Sequence, residues 1–321
     1  MTSQPPAPVH APAVLGTGRA HAKAILLGEH SVVYGAPAIA VPVSNLTSTA
    51  TLRPTAGSLI SSSLYQGPSS DAPSRLAPVQ AAWRAAAARV GARTEGFELV
   101  TESALPIARG LGSSAAIAAA IVRAVADAAG ITLEVAEEHE LIQEAERAAH
   151  GTPSGIDART VVAETPIRFE RGAFQPLPVG SAVTLVIADT GQPGATSRAV
   201  ASVRALRDRD PAMVDTAIAR LGELAEGSVT DLAAGDHAEL GLRLRSAQEL
   251  LVRLGVSSPE LDTLVQAAHA AGSPGAKLTG GGQGGCVIAL APSVAEAGPL
   301  SRALEEAGAA QVWTTVIGET A

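Results

Sequence analysis

Five glycines fall within six positions at Gly280-Gly281-Gly282-Gln283-Gly284-Gly285, between two short apolar runs, Ala276–Leu278 and Cys286–Leu290. Glycine loses more conformational freedom on folding than any other residue, so a purely structural use of such a run is expensive. The economical reading is a loop between two strands whose backbone closely approaches a ligand or a phosphate. Just before it stands Lys277, one of only two lysines in the chain against twenty-one arginines. The other, Lys23, also lies in a motif-like segment, which points to a need for an ammonium at both places.

A second glycine loop, Arg109-Gly110-Leu111-Gly112-Ser113-Ser114, opens an Ala/Ile-rich run that reads as a helix to about Ala129. Glycines admit an anion to the backbone, and a helix start aims free N–H groups and a partial positive charge at it. Ser113 and Ser114 add hydroxyls for phosphate oxygens or a magnesium ion. The plainer alternative is an ordinary helix start with a serine cap. The segment also fits the dinucleotide pattern G-x-G-x-x-A, with Asp127 and Glu134 downstream. Against that, Leu105 to Arg109 makes a poor buried strand, and the loop lies well inside the chain. No lysine follows the glycines as in a P-loop, which excludes that class of ATPase.

Two further segments carry polar groups in suggestive places. In Lys23-Ala24-Ile25-Leu26-Leu27-Gly28-Glu29-His30 an apolar strand starts at a lysine and ends in a Gly-Glu-His turn. A strand there sets Lys23 at one end of a pocket and Glu29 and His30 at the other, although a lone histidine is more often a satisfied structural one. In Glu146 to Asp157 a carboxylate on a helix is followed by a Gly/Pro/Ser hinge and a second carboxylate. The hinge can bring both into one cleft, one for a magnesium ion and one for a hydroxyl proton. A surface helix with a capping aspartate is the alternative.

Around these segments the periodicity predicts strands at Ala24–Leu27, Ala38–Val43, Leu46–Leu52, Phe97–Thr101, Val161–Val162, Ile167–Phe169, Val183–Ala188 and Val312–Ile317. Helices are expected at Pro78–Val90, from Thr132 or Leu133 to about His150, and near Val294–Ala307. Arg198 to Gly272 reads as mostly helical with a break near Ser257–Pro259, and Ser58–Ser74 as loop around a short strand. The order suggests two α+β lobes, 14–178 and 179–321, divided in the two-proline stretch Gln175–Gly180, after a disordered Pro/Ala-rich tail at 1–13.

Hydrophobic residues make up 46% of 321 positions but aromatics only 2%, so the core must be built from Ala, Val, Leu and Ile. A net charge of −8 argues against nucleic acid as a partner, and means an anionic substrate is drawn in by a local site, not by the global field. The single cysteine, Cys286, excludes an intrachain disulfide and reads as a small buried hydrophobe. Met1 to Ala13 holds no Lys or Arg, and Ala115 to Val122 is too short to span a bilayer. A soluble, cytoplasmic protein without membrane partners is expected; a homodimer is left open.

Taken together, the segments resemble the three signature motifs of the galactokinase/homoserine kinase/mevalonate kinase/phosphomevalonate kinase superfamily, in order and over nearly the whole chain. Leu105 to Ala116 looks like its ATP-phosphate loop and Lys277 to Cys286 like its C-terminal glycine loop. Gly28-Glu29-His30-Ser31-Val32-Val33-Tyr34-Gly35, His150-Gly151-Thr152-Pro153-Ser154-Gly155-Ile156-Asp157 and Asp189 to Thr196 are similar to the mevalonate kinases in particular. The resemblance implies an N-terminal α/β lobe, a ferredoxin-like C-terminal lobe, and ATP-dependent phosphorylation of the primary hydroxyl of mevalonate with Mg2+. Another kinase of the superfamily, acting on phosphomevalonate or galactose, or a non-catalytic ATP-binding relative, stays open. It further implies that Gly110, Leu111, Gly112, Ser113, Ser114, Ala115, Gly281 and Gly282 hold ATP, and that Thr196 meets its γ-phosphate. Ser114 and Glu146 then bind magnesium, and Asp157 is the base. Lys23 touches that aspartate and the transferring phosphate, while Glu29 and His30 line the mevalonate side. One departure stands out. Relatives commonly carry Ala-Pro-Gly-Lys where this chain has Ala20-His21-Ala22-Lys23, so the backbone leading into Lys23 must differ.

Overall fold

The computed structural model describes residues 14–151 and 153–318; the expected tail at 1–13 and Thr152 lie outside them. Eleven strands and nine α-helices alternate along the described residues. The first part of the chain runs β1 (Gly16–Leu27), β2 (Ala38–Pro54), β3 (Ser58–Ser62), β4 (Tyr65–Pro68), α1 (Ala77–Arg89) and β5 (Phe97–Ser103). It continues with α2 (Ser113–Ala128), α3 (Val135–His150), α4 (Ile156–Thr160), β6 (Ile167–Glu170) and β7 (Ala173–Pro176). These strands form one sheet in the order β4-β3-β5-β2-β6-β7, with β1 paired antiparallel along β2.

The second part runs β8 (Val183–Asp189), α5 (Thr196–Arg209), α6 (Pro211–Ala234), α7 (His237–Arg253), α8 (Pro259–Ala270), β9 (Ala276–Thr279), β10 (Cys286–Leu290), α9 (Val294–Glu306) and β11 (Gln311–Ile317). Its sheet is wholly antiparallel in the order β11-β8-β10-β9. Strand, helices, two strands, helix, strand in that order is the ferredoxin-like arrangement, with four helices in the first crossover. Membership of the sheets changes between Pro176 and Val183, within and just beyond the two-proline stretch.

The scarcity of aromatics has a structural counterpart. Helix α2 buries Ala115, Ala116, Ala118, Ala119, Ala120 and Ala124 with Ile121 and Val122 against β1. Small side chains let helix and strand approach closely, and Gly18 on β1 takes this to its limit. A Cβ there would stand 2.0 Å from the Ala120 carbonyl.

Several expectations change. Ala38–Val43 and Leu46–Leu52 are one continuous strand, β2, because β1 pairs along both halves. Ser58–Ser74 holds two strands, β3 and β4. The helix expected from Thr132 or Leu133 begins at Val135, where Glu134 and Glu137 form a reciprocal capping box. Val161–Val162 is not a strand: it is the turn leaving α4, where Val161 N–H donates back to Asp157 O. The long helical stretch is broken at Asp210 and at Gly235-Asp236 as well as near Ser257; Asp210 and Asp236 cap the next helix by accepting from Met213 and Glu239 N–H. Among the described residues no helix is long and apolar enough to cross a membrane.

Candidate active site

Lys23 sits in the middle of β1, opposite Pro42 of β2, and is only 2% exposed. Its Nζ lies 2.9 Å from Asp157 Oδ1, and its backbone N–H donates to Leu111 O at 3.1 Å, tying the strand to the first glycine loop. The departure at Ala20-His21-Ala22 is accommodated by an irregularity of register between His21 and Ala22. His21 N–H donates to Val161 O, a bond that a proline at this position could not make, and its ring bridges Ala22 O and Ala163 O. The lysine is thus set by a clamp between β1 and the segment following α4, the short helix that carries Asp157.

Gly112 takes the left-handed conformation at the N-cap of α2, and the first intrahelical bond runs from Ala116 N–H to Gly112 O. The N–H groups before it have no intrahelical acceptor by helix geometry. Ser113 and Ser114 form this first turn. Ser114 Oγ is buried without a hydrogen-bond partner among the described residues. Glu146, three per cent exposed, comes from the last turns of α3, and Thr196 opens α5.

These groups converge on two connected clefts. The larger, about 600 Å³, is lined by Gly110, Gly112, Ser113, Ser114, Glu146, Asp157 and Thr196, with Arg75, Arg109 and Arg198 on its walls. The second, about 400 Å³, is lined by Val33, Gln143, Pro153, Ser154, Gly155 and Val200. Glu146, Asp157, Thr196 and Ser197 line both. Two molecules, one in each cleft, would therefore meet beside Asp157.

Other expected residues are placed differently. Leu111 and Ala115 are 1% and 0% exposed and belong to the core, so only their backbone can serve the loop. Gly281 and Gly282 do not line the larger cleft. A Cβ on Gly281 would stand 2.6 Å from Thr196 Cα, and one on Gly282 would stand 2.1 Å from Val256 O. These two glycines pack closely on Thr196 and Val256 of the protein itself, and Gly281 also lines a cavity with Lys23, Asp157 and Thr196. Glu29 pairs with Lys277, both side chains being fully buried, and with His30 it also lines a small cavity beside Lys23, Ser154, Asp157 and Thr196. Burial pushes the Glu29 carboxyl up and the Lys277 ammonium down, and each opposes the shift in the other. His30, at φ 61°, donates from Nε2 to Gly281 O at 2.9 Å, and burial lowers its pKa. Cys286 is buried, and burial followed by the neighbouring Asp189 charge pushes its thiol well up, which leaves it no nucleophile.

Arg75, Arg109, Arg198 and Gln143 escape sequence reading. In a chain with twenty-one arginines an individual arginine carries no signal. Arg109 lies inside the first loop itself and is held by Asp189 at 2.7 Å and Gly191 O at 2.8 Å.

A ferredoxin-like lobe beside a mixed sheet, with a serine-bearing helix start facing the junction, is the build of a two-lobed small-molecule kinase. The family model described as GHMP kinases N terminal domain matches residues 77–163, and that described as GHMP kinases C terminal matches 228–310, together more than half of the chain. A mevalonate kinase of Thermococcus gammatolerans is 34% identical over 295 residues, covering 85% of this chain and 88% of the relative. One of Aeropyrum pernix is 34% identical over 312 residues, covering 92% and 94%. The crystal structure of L. major mevalonate kinase in complex with R-mevalonate superposes with a TM-score of 0.84 at 24% identity, covering 98% of this chain and 99% of that one. The chain belongs to the mevalonate kinase family of the GHMP kinases.

Proposed function

We propose that this protein transfers the γ-phosphoryl group of ATP to the primary hydroxyl of mevalonate, giving 5-phosphomevalonate and ADP in the mevalonate pathway to isoprenoid precursors. The observation that carries the reading is the Lys23–Asp157 pair at 2.9 Å, standing where the two clefts join. The larger cleft, with the α2 N-terminus in its wall, suits the triphosphate of ATP. The second, with Val33, Val200, Gln143 and Ser154, suits a small branched molecule with hydroxyl groups.

Asp157, 2.9 Å from the Lys23 ammonium, takes the proton of the attacking hydroxyl. The hydroxyl oxygen bonds to the γ-phosphorus as the bond to the β,γ-bridging oxygen breaks and its electron pair leaves with ADP. Positioning and charge neutralisation supply most of the rate in such transfers. Lys23 is placed to offset charge on the moving phosphoryl group, and Ser113 and Thr196 to orient phosphate oxygens.

The family also implies magnesium. Among the described residues no cluster of three His, Cys, Asp or Glu side chains could hold a metal ion; magnesium at a nucleotide takes most of its ligands from phosphates and water. Ser114 Oγ, buried and without a partner among the described residues, and Glu146 in the same cleft fit as its protein ligands. When bound, magnesium neutralises negative charge on the phosphates. Glu146 and Ser114 would hold it on the α2 side of the cleft, leaving Asp157 to the hydroxyl.

The test is ADP release by the purified protein offered ATP with mevalonate, phosphomevalonate or galactose in turn. Turnover with mevalonate alone is expected. Turnover with one of the others and none with mevalonate would overturn the assignment.

A further inference from the structure

Lys277 is the second lysine of the chain, comes from the C-terminal lobe, and has no place in the mechanism above. It is wholly buried, in contact with Glu29 Oε1, and donates to Leu278 O at 2.7 Å. Breaking such a pair from one side leaves an uncompensated charge, whereas neutralising both sides is often tolerated. A buried ion pair is therefore weak evidence for stability and invites another explanation.

Its surroundings supply one. Glu29 uses one oxygen on Lys277; the other, Oε2, is buried without a hydrogen-bond partner among the described residues. Glu29 also lines a cavity of about 110 Å³ that is shared by Lys23, His30, Asp157 and Thr196. The Lys23 charge acts on both members of the buried pair, drawing the Glu29 carboxyl down and adding to the downward push on Lys277. Four charges thus alternate from one lobe to the other: Lys277, Glu29, Lys23, Asp157. The scaffold beneath them is tied across the same seam. Thr279 Oγ1 accepts from Ile25 N–H at 2.9 Å and donates to Ile25 O at 3.1 Å, and His30 donates to Gly281 O.

We propose that Glu29 is the second counter-anion of Lys23 and that Lys277 is a positioning residue that holds Glu29 in place beside it. The inference rests on the phosphoryl-transfer reading above. As the hydroxyl proton passes to Asp157 the aspartate becomes neutral, and Lys23 is left between the γ-phosphoryl group in flight and Glu29. Glu29 is fixed negative charge on the other side of the ammonium, which keeps the lysine in place. Lys277 opposes the upward push that burial gives the Glu29 carboxyl. The charged and titratable groups around Lys23 are then Asp157 from α4, Glu29 and His30 from the turn after β1, and Lys277 from β9. Glu146 of α3 shares the cleft with Asp157.

The experiment uses the full-length protein with the double substitution Lys277→Met/Glu29→Gln, which removes both charges. Melting temperature, the KM values for ATP and mevalonate, and kcat are measured beside wild type. A fold close to wild type is expected, with both KM values within about threefold and kcat lowered about tenfold or more. A folded double variant with wild-type kcat, or one whose kcat and KM values worsen together, would reduce the pair to a structural tie and overturn the proposal. If the double variant does not fold, Glu29→Gln alone is read in the same way, since Lys277 can then shed its proton. Wild-type protein that releases no ADP with mevalonate would remove the functional reading itself. Active wild type matched by its variants would remove only this inference.

Discussion

Gly112 and Gly282 both hold left-handed backbone in glycine loops, at φ 73° and φ 80°, yet a side chain at each would strike different things. At Gly112 a Cβ would stand 2.9 Å from Lys23 Cγ, a lysine stem whose head meets Asp157. At Gly282 it would stand 2.1 Å from Val256 O, in the connection between α7 and α8. Gly112 makes room for a working side chain, and Gly282 for the chain's own backbone. Glycine richness reports that something comes close; it does not say whether that something is ligand, side chain or main chain.

The sharpest way to break this contrast is at Asp157, the partner of the lysine that Gly112 accommodates. Asp157→Asn keeps the shape but accepts no proton and leaves Lys23 without the opposite charge that stood 2.9 Å away. Loss of a positioned base lowers rate by about 10²–10⁴-fold. A fall in kcat of that size is expected, with ATP and mevalonate still bound and no recovery in excess magnesium. Near wild-type kcat, or restoration by magnesium, would mean that the first loop does not face the chemistry through this pair.

Next come the glycines themselves. Gly282→Ala forces a Cβ against a carbonyl that no rotamer can move aside, in a conformation disfavoured for any side chain. Overpacking and left-handed strain together point to a loss of about 2–5 kcal/mol or failure to fold, read by urea denaturation. Gly112→Ala should cost less stability, about 1–2 kcal/mol for the backbone alone. Its larger effect is on the lysine. Displacing a reacting group by a fraction of an ångström to an ångström lowers rate by up to about 10²-fold. A kcat loss of about 10–100-fold with little change in the ATP KM is expected. A raised ATP KM with kcat unchanged would show that the added methyl reaches the phosphate site instead, and that the space beside Gly112 belongs to ligand.

The same contrast marks what can be seen in the sequence. Lys23, Ser114, Glu146 and Asp157 can be singled out because each lies in or beside a motif-like segment with a chemical type that a packed core avoids. The structure gathers all four around one junction. The two-lobe division is legible from the helical middle and the proline-rich connection. What stays hidden are relations between distant segments. That Glu29 is spent on Lys277, 248 positions away, has no local sign. Nor does the strandless Val161–Val162, whose β-branched pair reads as strand until α4 consumes the residues before it. The long β2 escapes because Pro42 and Asn45 interrupt its alternation, yet both tolerate a strand irregular in register against β1.

The smallest expected effects lie on the metal side of the first loop. Glu146→Gln keeps size and hydrogen-bonding capacity but removes the charge assigned to the ion. Ser114→Ala removes an oxygen that is buried without a protein partner among the described residues, so little folding energy is expected to go with it. Both variants should stay folded and should shift the magnesium dependence of kcat to higher concentration, Glu146→Gln by more because it loses a full charge. Excess magnesium should restore much of the rate in each, since phosphates and water supply the ion's other ligands. This recovery is what separates Glu146 from Asp157, whose loss no metal concentration repairs. If Glu146→Gln behaves like Asp157→Asn, collapsed and beyond rescue, the two carboxylates have exchanged roles, and the α2 side of the cleft faces the hydroxyl instead of the ion.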